Sequence, residues 1–324
     1  MCIRDRSDTI IMKTMSLVVP CYNEEPTIEI FYNTVEKVLA DNPESFKDIT
    51  TEYVFVNDGS SDDTLNVLRT LNAAHPDTVH YVSFSRNFGK EAGLLAGLEH
   101  TIGDYVAVMD VDLQDPPTLL PKMLAMLQTG DYDCIGTMRE NRVGEPMIRS
   151  FLSRSFYSVV NKISKVQIIP NARDYRLMTR QMVDAILELP EYNRFSKGIF
   201  NWVGFRTTYL KFENQPRSAG ETHWSIWQLF NYSMDAIVDF SDVPLKIATF
   251  TGGLLSLISI ISIFVVIIRK ILFDNSVSGW ASTITIMLLI GGIQLFCLGI
   301  IGNYIGKIYI ESKHRPHYIV QEKK

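Results

Sequence analysis

The amino-acid sequence predicts an α/β domain with a mostly parallel sheet, followed by two helices that cross a membrane. Three observations predict this fold class. Short β-rich runs alternate with helical patterns along the first part of the chain, a rhythm typical of βαβ units. Polar turns follow four of the predicted strands. Near the C-terminus, two uncharged runs each exceed the ~20 residues that a helix needs to cross the hydrocarbon layer.

The predicted strands and helices alternate. Five strands are predicted, at Ser16–Val19, Tyr53–Asn57, His80–Ser83, Tyr105–Met109 and Asp133–Gly136. Four helices are predicted between them, at Pro26–Ala40, Thr64–Ala74, Lys90–Thr101 and Pro117–Thr129. Ligands of such sheets gather at the carboxyl ends of the strands. The residues just past each strand are therefore the candidate site residues.

Each of the first four predicted strands ends in a polar turn. The turns are Pro20–Glu25, Asn57–Asp62, Ser85–Lys90 and Asp110–Pro117. Because parallel strands place their carboxyl ends at one edge of the sheet, we expect the four turns to converge there.

The fourth turn carries a possible metal site. Asp110 and Asp112 are two residues apart, so on an extended segment both carboxylates point to one side and can share a hard divalent cation. Gln114 offers a neutral oxygen to the same ion. Mg²⁺ or Mn²⁺ is the expected cofactor, held by carboxylates and substrate phosphates. Alternatively, the carboxylates are solvated or cap the next helix.

The second turn has two interpretations. Asp58 and Gly59 are typical of a tight turn, in which Ser60 or Ser61 caps the helix that begins at Thr64. The Asp58 carboxylate can also accept hydrogen bonds from a base or a ribose. The sequence contains neither a G-x-G-x-x-G after a strand nor a G-x-x-x-x-G-K-[ST], so dinucleotide redox chemistry and P-loop hydrolysis are poorly supported.

The two uncharged runs, Ile247–Ile268 and Trp280–Gly306, predict a membrane hairpin. The connection Arg269–Gly279 is short, so the spans should be antiparallel with both ends on one side; a pair of buried core helices is the alternative. Lys and Arg residues are more numerous on the flanks than in the connection, which predicts that the catalytic domain and the tail are cytoplasmic. The expected location is the inner (plasma) membrane, as a multi-pass protein. Glycines in the second run permit close helix contact, within the hairpin or in a homo-oligomer.

Charge and cysteine content exclude some classes. The formal net charge is −5, so no nucleic-acid partner is expected. Between Arg139 and Arg180, nine Lys and Arg stand against three Asp and Glu. This basic stretch favours contact with phosphate or anionic lipid, although a solvated face has the same composition. The four cysteines form no CxxC motif, which suits a reducing compartment.

We expect the chain to consist of four segments. Residues 1–14 are interpreted as a non-native or disordered extension without the apolar run of a secretory signal. Residues 15–222 form the catalytic domain, and residues 245–324 the hairpin and a cytoplasmic tail. Between them, residues 223–244 carry Trp224 and Trp227 at helical spacing. That pattern predicts an amphipathic juxtamembrane helix, lying at the interface or packed on the core.

The four turns together resemble those of the family 2 inverting glycosyltransferases, whose catalytic domain has the GT-A fold. The motifs are V-V-P-C-Y-N-E, V-N-D-G-S-S-D, S-R-N-F-G-K-E and D-V-D-L-Q-D-P-P. With the hairpin, the chain is similar to polyprenyl-phosphate glycosyltransferases, namely dolichol-phosphate mannose synthase and the bactoprenol glucosyltransferases. The resemblance implies transfer of glucose or a related hexose from a nucleotide-diphosphate sugar, with a UDP-sugar favoured, to polyprenyl (undecaprenyl) phosphate. The transfer would occur at the cytoplasmic membrane face for cell-surface glycan modification, with a separate flippase as a further partner.

The resemblance also implies roles for individual residues. The nucleotide sugar would be bound by Pro20, Tyr22, Asn23, Glu24, Asp58, Lys90 and Asp110. The diphosphate and metal would be gathered by Asp110, Asp112 and Gln114. The acceptor phosphate would be bound by Arg139, Arg149, Ser153 and Arg217. Arg194 is a further candidate for the acceptor phosphate, although it could merely solubilise a loop. Arg139, Arg149 and Arg154 could instead face anionic lipid headgroups. The sequence has Thr222-His223 where the family has Ser-Lys.

Asp174 and Asp112 are the predicted catalytic residues. A phosphate monoester with a second pKa near ~6 is largely dianionic at neutral pH, so the acceptor hardly needs a general base. We therefore predict that Asp174 positions the acceptor or stabilises a cation more than it removes a proton. Alternatively, Asp174 only pairs with Arg173 or Arg176. Competing functions are a processive polysaccharide synthase, whose Q-x-x-R-W motif is absent from the sequence, and a catalytically silent membrane adaptor that binds nucleotide sugars.

Overall fold

The computed structural model describes residues 12–140, 161, 169–213, 241–273 and 279–324. Several predicted features lie outside these ranges: Arg149, Ser153, Arg154, Arg217, the Thr222-His223 pair, most of the N-terminal extension, most of the juxtamembrane helix and part of the hairpin connection.

The described residues contain one eight-stranded sheet. Its strands are β1 (Lys13–Cys21), β2 (Ile49–Asn57), β3 (Val79–Phe84), β4 (Tyr105–Val108), β5 (Cys134–Arg139), β6 (Ala172–Thr179), β7 (Thr207–Phe212) and β8 (Val320–Lys323). Their order across the sheet is β7-β5-β6-β4-β1-β2-β3-β8. Strands β1 to β4 run parallel to one another, and β5 is parallel to β7. Strand β6 is antiparallel to β4 and β5, and β8 to β3. The predicted mostly parallel sheet is confirmed.

The described helices match the predicted ones within a few residues and add two. They are α1 (Ile28–Asp41), α2 (Thr64–Ala74), α3 (Lys90–Glu99), α4 (Leu120–Gln128), α5 (Arg180–Leu187), α6 (Ser196–Trp202), α7 (Val243–Phe273) and α8 (Trp280–Ser312). A 3₁₀ turn at Pro117–Leu119 precedes α4, since a proline without an N–H group is tolerated only in the first turn of a helix.

Helices cover both faces of the sheet. Alternate residues of β1 point to opposite faces, so Leu17 packs in one core cluster with α1, α2 and α4. Val18 packs in a second cluster with α3, α5 and α6. Helix α3 lies very close to β1, because a Cβ added at Gly97 would stand 2.1 Å from a Val18 methyl carbon. The domain is therefore an α/β/α sandwich whose parallel strands end at one shared edge.

The two C-terminal helices are long and apolar enough to cross a membrane. They are antiparallel: the Tyr304 hydroxyl donates to the Ser241 carbonyl at 2.6 Å, and Cys297 Sγ lies 3.9 Å from the Ala248 carbonyl. Almost none of either candidate span is buried, so the alternative of core helices does not describe these segments. A Cβ added at any of the α8 glycines would meet nothing within 4 Å. Among the described side chains, none packs against these glycines within the hairpin, and contact between protomers stays a prediction.

The segment after α8 returns to the sheet. Strand β8 adds to the outer edge of β3 in antiparallel pairing, where Glu322 accepts hydrogen bonds from Arg69 and from the Tyr81 hydroxyl. In the last turn of α8, Glu311 accepts from the backbone N–H groups of Tyr192 and Asn193 at 2.8 and 3.3 Å. The C-terminal end of α8 is thereby fixed to the domain that contains the sheet.

Tyr318 should contribute measurably to this attachment. Its ring stacks on Phe84 with centroids 4.7 Å apart, and its hydroxyl donates to Glu99. We expect Tyr318→Ala to lower the free energy of unfolding by about 1–2 kcal/mol, with a fall in Tm of about 2–6 °C. The Tm of each variant is measured by thermal unfolding in detergent. The control is Arg315→Ala, because Arg315 is an exposed residue of the same segment. Equal Tm values for the two variants would contradict the expectation.

Candidate active site

The turns that follow β1 to β4 surround one cavity. Its volume is about 300 Å³. Seven of the residues predicted from the sequence line it, namely Pro20, Tyr22, Glu24, Asp58, Lys90, Asp110 and Asp112. The cavity is also lined by Cys21, Asn87, Gly89 and Val111, which lie in the predicted turns without an assigned role, and by Gly93 of α3, which was not predicted. The prediction that the four turns converge is therefore confirmed.

Asn23 joins the first turn to the second. Its φ of 55° lies in the left-handed region, which asparagine adopts more readily than most residues. Its backbone N–H donates to Ser60 Oγ at 2.9 Å, and its side-chain oxygen accepts from the Ser61 N–H at 2.8 Å. Asn23 is not among the residues that line the cavity. Its visible role is to hold the two turns together.

Asp58 joins the second turn to the third. Its carboxylate accepts from the N–H groups of Phe88 at 2.6 Å and Gly89 at 2.9 Å. Burial raises the pKa of Asp58, although these two hydrogen bonds oppose the shift. The turns approach so closely that a Cβ at Gly59 would stand 2.2 Å from the carbonyl carbon of Arg86. Asp58 thus shapes the cavity wall in addition to lining it.

The start of α2 differs from the predicted serine cap. The backbone N–H of Thr64 donates to Asp62 Oδ1 at 3.1 Å, whereas Ser60 Oγ accepts from Asn23. The expectation that Ser60 or Ser61 caps this helix was wrong because both serines are used between the turns.

Lys90 bridges two carboxylates from different strands. Its ammonium lies 2.8 Å from Asp110 Oδ1, after β4, and 2.6 Å from Asp174 Oδ2, on β6. Burial of the ammonium group would lower the pKa of Lys90, but the two carboxylates outweigh this and raise it. Lys90 therefore carries a positive charge between the predicted metal-binding turn and the predicted catalytic aspartate.

Asp174 is held in its ionised form. Burial alone would raise its pKa, but the positive charges of Lys90, Lys197 and Arg176 outweigh burial and hold the pKa far below its ordinary range. The alternative interpretation, in which the Asp174 carboxylate pairs with the side chain of Arg173 or Arg176, is not observed. Arg176 instead donates to the backbone carbonyls of Asp174 and Arg173 at 3.1 and 3.0 Å.

Arg176 is a buried cation that supports this strand. Its guanidinium carbon lies 3.6 Å from the centre of the Phe200 ring, and the residue is 2% exposed. A cation over an aromatic face is stabilised by the negative face of the ring. Arg176 therefore fixes the backbone on which Asp174 stands.

Asp110 and Asp112 suit a divalent cation as hard oxygen donors. The segment between them is a turn and not the extended strand that was expected, with Asp112 Oδ1 accepting from the Gln114 N–H at 3.1 Å. Within the described ranges, no group of three or more His, Cys, Asp and Glu could hold a metal ion. Two carboxylates supply only part of a divalent cation's ligands, so a metal bound here would need further oxygens, such as those of substrate phosphates.

The side-chain oxygen of Gln114 lies close to two arginines, Arg139 and Arg173. Leu113, at φ 56°, turns the chain, and the Gln114 side-chain oxygen accepts from Arg139 Nη2 at 2.8 Å. Arg173 Nη2 lies 3.5 Å from the same oxygen. A metal contact by Gln114 stays a prediction, and it would require this oxygen to be shared with Arg139.

Arg194, one of the predicted acceptor residues, contacts the end of α5. Its Nη1 donates to the Leu189 carbonyl at 2.7 Å, and Nη2 lies 3.5 Å from the Ile186 carbonyl. Burial lowers the pKa of Arg194. Cations are favourable at the C-terminal end of a helix, so the observed contacts are those of a helix cap. Binding of acceptor phosphate by Arg194 stays a prediction.

Comparison with known proteins gives two family matches. Residues 16–187 match the family described as Glycosyl transferase family 2. Residues 243–308 match the GtrB C-terminal hairpin.

Several curated proteins are similar over nearly the whole chain. A putative glycosyltransferase, CsbB, of Bacillus subtilis is 43% identical over 95% of this chain and 91% of that protein. The bactoprenol glucosyl transferase of Shigella phage SfX is 41% identical over 96% of this chain and 99% of that protein. The prophage bactoprenol glucosyl transferase homolog of Escherichia coli is 40% identical over the same shares.

Similar solved structures include glucosyl-3-phosphoglycerate synthase of Mycobacterium tuberculosis. It is 20% identical, with a TM-score of 0.44 over 70% of this chain and 78% of that chain. This overlap is too loose to transfer any feature of that enzyme to the present chain.

Proposed function

The chain belongs to glycosyl transferase family 2 and carries the GtrB C-terminal hairpin, and from this premise we propose that it transfers a sugar from a nucleotide-diphosphate sugar to polyprenyl phosphate. The chain is a glycosyltransferase with a GT-A-like fold. One observation carries the proposal. Relatives named bactoprenol glucosyl transferase align with both the catalytic domain and the hairpin, over 96% of the chain. Glucose or a related hexose, carried by UDP, is the favoured donor.

We propose the cytoplasmic face of the inner membrane as the place of the reaction. The excess of Lys and Arg on the flanks of the hairpin supports this orientation. The contacts of Glu311 with residues 192–193 support a domain held close to the exit of α8. A polyprenyl phosphate presents its charge at headgroup height, where such a domain can reach it.

A divalent cation, Mg²⁺ or Mn²⁺, is part of the proposal. Asp110 and Asp112 would hold it together with the donor diphosphate. When bound, such an ion neutralises the negative charge that develops on the departing nucleoside diphosphate.

The chain's own residues then have separable tasks. The cavity among the four turns would bind the nucleotide, and Lys90 places a positive charge between Asp174 and Asp110, the residue that would gather the diphosphate. A phosphate oxygen of the acceptor attacks the anomeric carbon from the face opposite the leaving group, which inverts that centre. The ionised Asp174 stabilises the positive charge that builds up on the sugar ring.

Asp174→Asn should distinguish positioning from base catalysis. We expect kcat to fall by well under ~10²-fold and the loss to be the same across the pH range, because the depressed pKa of Asp174 makes it a weak base. The measurement is kcat for the variant and the wild type between pH 6 and pH 9. A much larger loss that recovers as the pH rises would show that Asp174 removes a proton.

A labelling experiment tests the proposed function. Membranes containing the protein are incubated separately with labelled UDP-glucose, UDP-GlcNAc and GDP-mannose, and the lipids are extracted. We expect label from a UDP-sugar in a short lipid product that mild acid hydrolyses. Label in a long polymer would identify a processive synthase, and label in neither fraction would contradict transferase activity on these donors.

A further inference from the structure

Two arginine side chains from neighbouring strands converge on one oxygen atom. Arg139 ends β5, and its Nη2 lies 2.8 Å from Gln114 Oε1. Arg173, the second residue of β6, places its own Nη2 3.5 Å from the same oxygen. A neutral amide oxygen thus lies between two guanidinium groups, each of which forms stronger hydrogen bonds to an anion than to an amide.

The sheet builds this arginine pair, Arg139 and Arg173. Strands β5 and β6 are antiparallel, with an irregularity of register just before Met138, which lies opposite Ala172. Beyond this point the Arg139 N–H donates to the carbonyl of Asn171 at 3.2 Å. The side chain of Arg173 is only 23% exposed. The two guanidinium groups are therefore held by paired backbone and not by a mobile surface loop.

Arg173 is fixed at one end of its guanidinium and weakly held at the other. Its Nε lies 2.8 and 3.1 Å from the two oxygens of Asp115, whose side chain is 1% exposed. Among the described residues, the contacts of the Nη2 atom are longer, 3.5 Å to Gln114 and 3.8 Å to Asp110. An anionic oxygen placed there would gain short, charge-assisted bonds without disturbing the ion pair with Asp115.

The arginine pair lies outside the nucleotide cavity. None of Gln114, Arg139 and Arg173 lines that cavity, whereas Asp110 does. Asp110 therefore separates the two regions, with Lys90 on one of its oxygens and Arg173 near the other. A donor diphosphate gathered at Asp110 and Asp112 would occupy the cavity side, which leaves the arginine pair open to an anion of the second substrate.

We propose that Arg173 binds the acceptor, its guanidinium holding the phosphate of the polyprenyl phosphate together with Arg139. This inference rests on the proposed function and assigns to its acceptor site a residue that the sequence motifs did not identify. A tetrahedral phosphate has enough oxygens to accept from both guanidinium groups at once. The phosphate would then replace Gln114 Oε1 as the shared acceptor.

The variants must keep Asp115 from being left buried and unpaired. Arg173→Gln alone removes the partner of that carboxylate, which can prevent folding. The main variant is therefore the double substitution Arg173→Gln and Asp115→Asn. A second variant, Arg173→Lys, retains the positive charge but lacks the planar set of N–H donors of a guanidinium group. Arg206→Gln is the matched control, because Arg206 forms an exposed ion pair with Asp133 at 3.0 Å.

The measurement is direct binding to the full-length protein in detergent. Farnesyl phosphate, a short polyprenyl phosphate, is titrated calorimetrically without donor, and UDP-glucose is titrated separately. Loss of one hydrogen-bonded charge predicts a fall in farnesyl phosphate affinity of about 10- to 100-fold in the double variant, with Arg173→Lys intermediate. We expect UDP-glucose affinity within about twofold of the wild type in every variant, and Arg206→Gln to bind both ligands normally.

Two results would overturn the assignment of Arg173. Unchanged farnesyl phosphate affinity in the folded double variant would show that Arg173 does not touch the acceptor. An equal loss of UDP-glucose affinity would move Arg173 to the donor diphosphate. Wild-type transfer to farnesyl phosphate is measured in parallel. If that transfer persists, either result removes only this inference; if the wild type neither binds nor glycosylates a polyprenyl phosphate, the proposed function fails and Arg173 loses its role with it.

Discussion

Asp112→Ala is expected to reduce kcat/KM for sugar transfer by at least ~10³-fold, because it removes one of the two carboxylates that would hold the divalent cation. Charge neutralisation by such an ion supplies several kcal/mol to the transition state, and ~4 kcal/mol corresponds to about 10³ in rate. Asp112 lines the cavity beside Asp110. It is the better target because Asp110 also binds Lys90 at 2.8 Å, so that changing Asp110 would disturb two features at once.

The measurement is initial rate against Mg²⁺ or Mn²⁺ concentration, with UDP-glucose and a polyprenyl phosphate held constant. Asp184→Ala is the matched control, since Asp184 is an exposed carboxylate paired with Arg180 at 2.7 Å and should leave the rate unchanged. Binding of metal to the protein with UDP should also weaken in Asp112→Ala. Full activity with an unchanged metal requirement in that variant would remove Asp112 from the metal site.

The strands predicted from the sequence have apolar residues at their centres. Strand β1 shows this, because its buried stretch contains Leu17, Val18 and Val19, which is typical of a strand covered on both faces. Strand β6 was missed because its segment carries Arg173, Asp174 and Arg176, and charged residues do not predict a central strand. The charge of Arg176 is tolerated there by Phe200 and by backbone carbonyls, which only the tertiary structure reveals.

The candidate site was predictable where it depends on parallel strands. Four such strands share an edge, so their turns had to meet, and the polar residues of those turns could be named. The ion pair between Lys90 and Asp174 could not be predicted, because Asp174 enters from the antiparallel strand β6. The position of Arg173 could not be predicted for the same reason, since it also lies on β6. Its partner Asp115 is distant in sequence and nearly fully buried.

Strand β8 escaped prediction for a different reason. Its residues, Val320–Lys323, are mostly polar and exposed, and a short polar strand gains its stability from pairing at a sheet edge. The pairing with β3 and the contacts of Glu322 with Arg69 and Tyr81 supply that stability. The segment after α8 is therefore part of the catalytic domain, and any test of the hairpin has to retain it.

Removal of the hairpin alone is expected to cut transfer to undecaprenyl phosphate in vesicles by at least ~10²-fold. A membrane tether holds the domain near its lipid acceptor, and tethering of this kind raises apparent affinity by about 10²–10⁴ through effective concentration. The variant replaces residues 243–308 with a Gly/Ser linker and keeps Glu311 and β8. Tyr304 lies beside Ser241, at 2.6 Å, so about ten linker residues, which span on the order of 17 Å, bridge the gap.

The effect should depend on where the acceptor is. UDP-glucose affinity should stay within about twofold of the wild type, because the cavity proposed to bind the nucleotide is formed by the turns after β1 to β4 and is lined by no hairpin residue. Transfer to farnesyl phosphate in free solution should fall by less than about fivefold, since a soluble acceptor reaches a soluble enzyme without a tether. Equal rates on vesicles for the two proteins would show that the hairpin does not deliver the domain to its acceptor. An equal loss on both acceptors would instead show that the hairpin shapes the acceptor site itself.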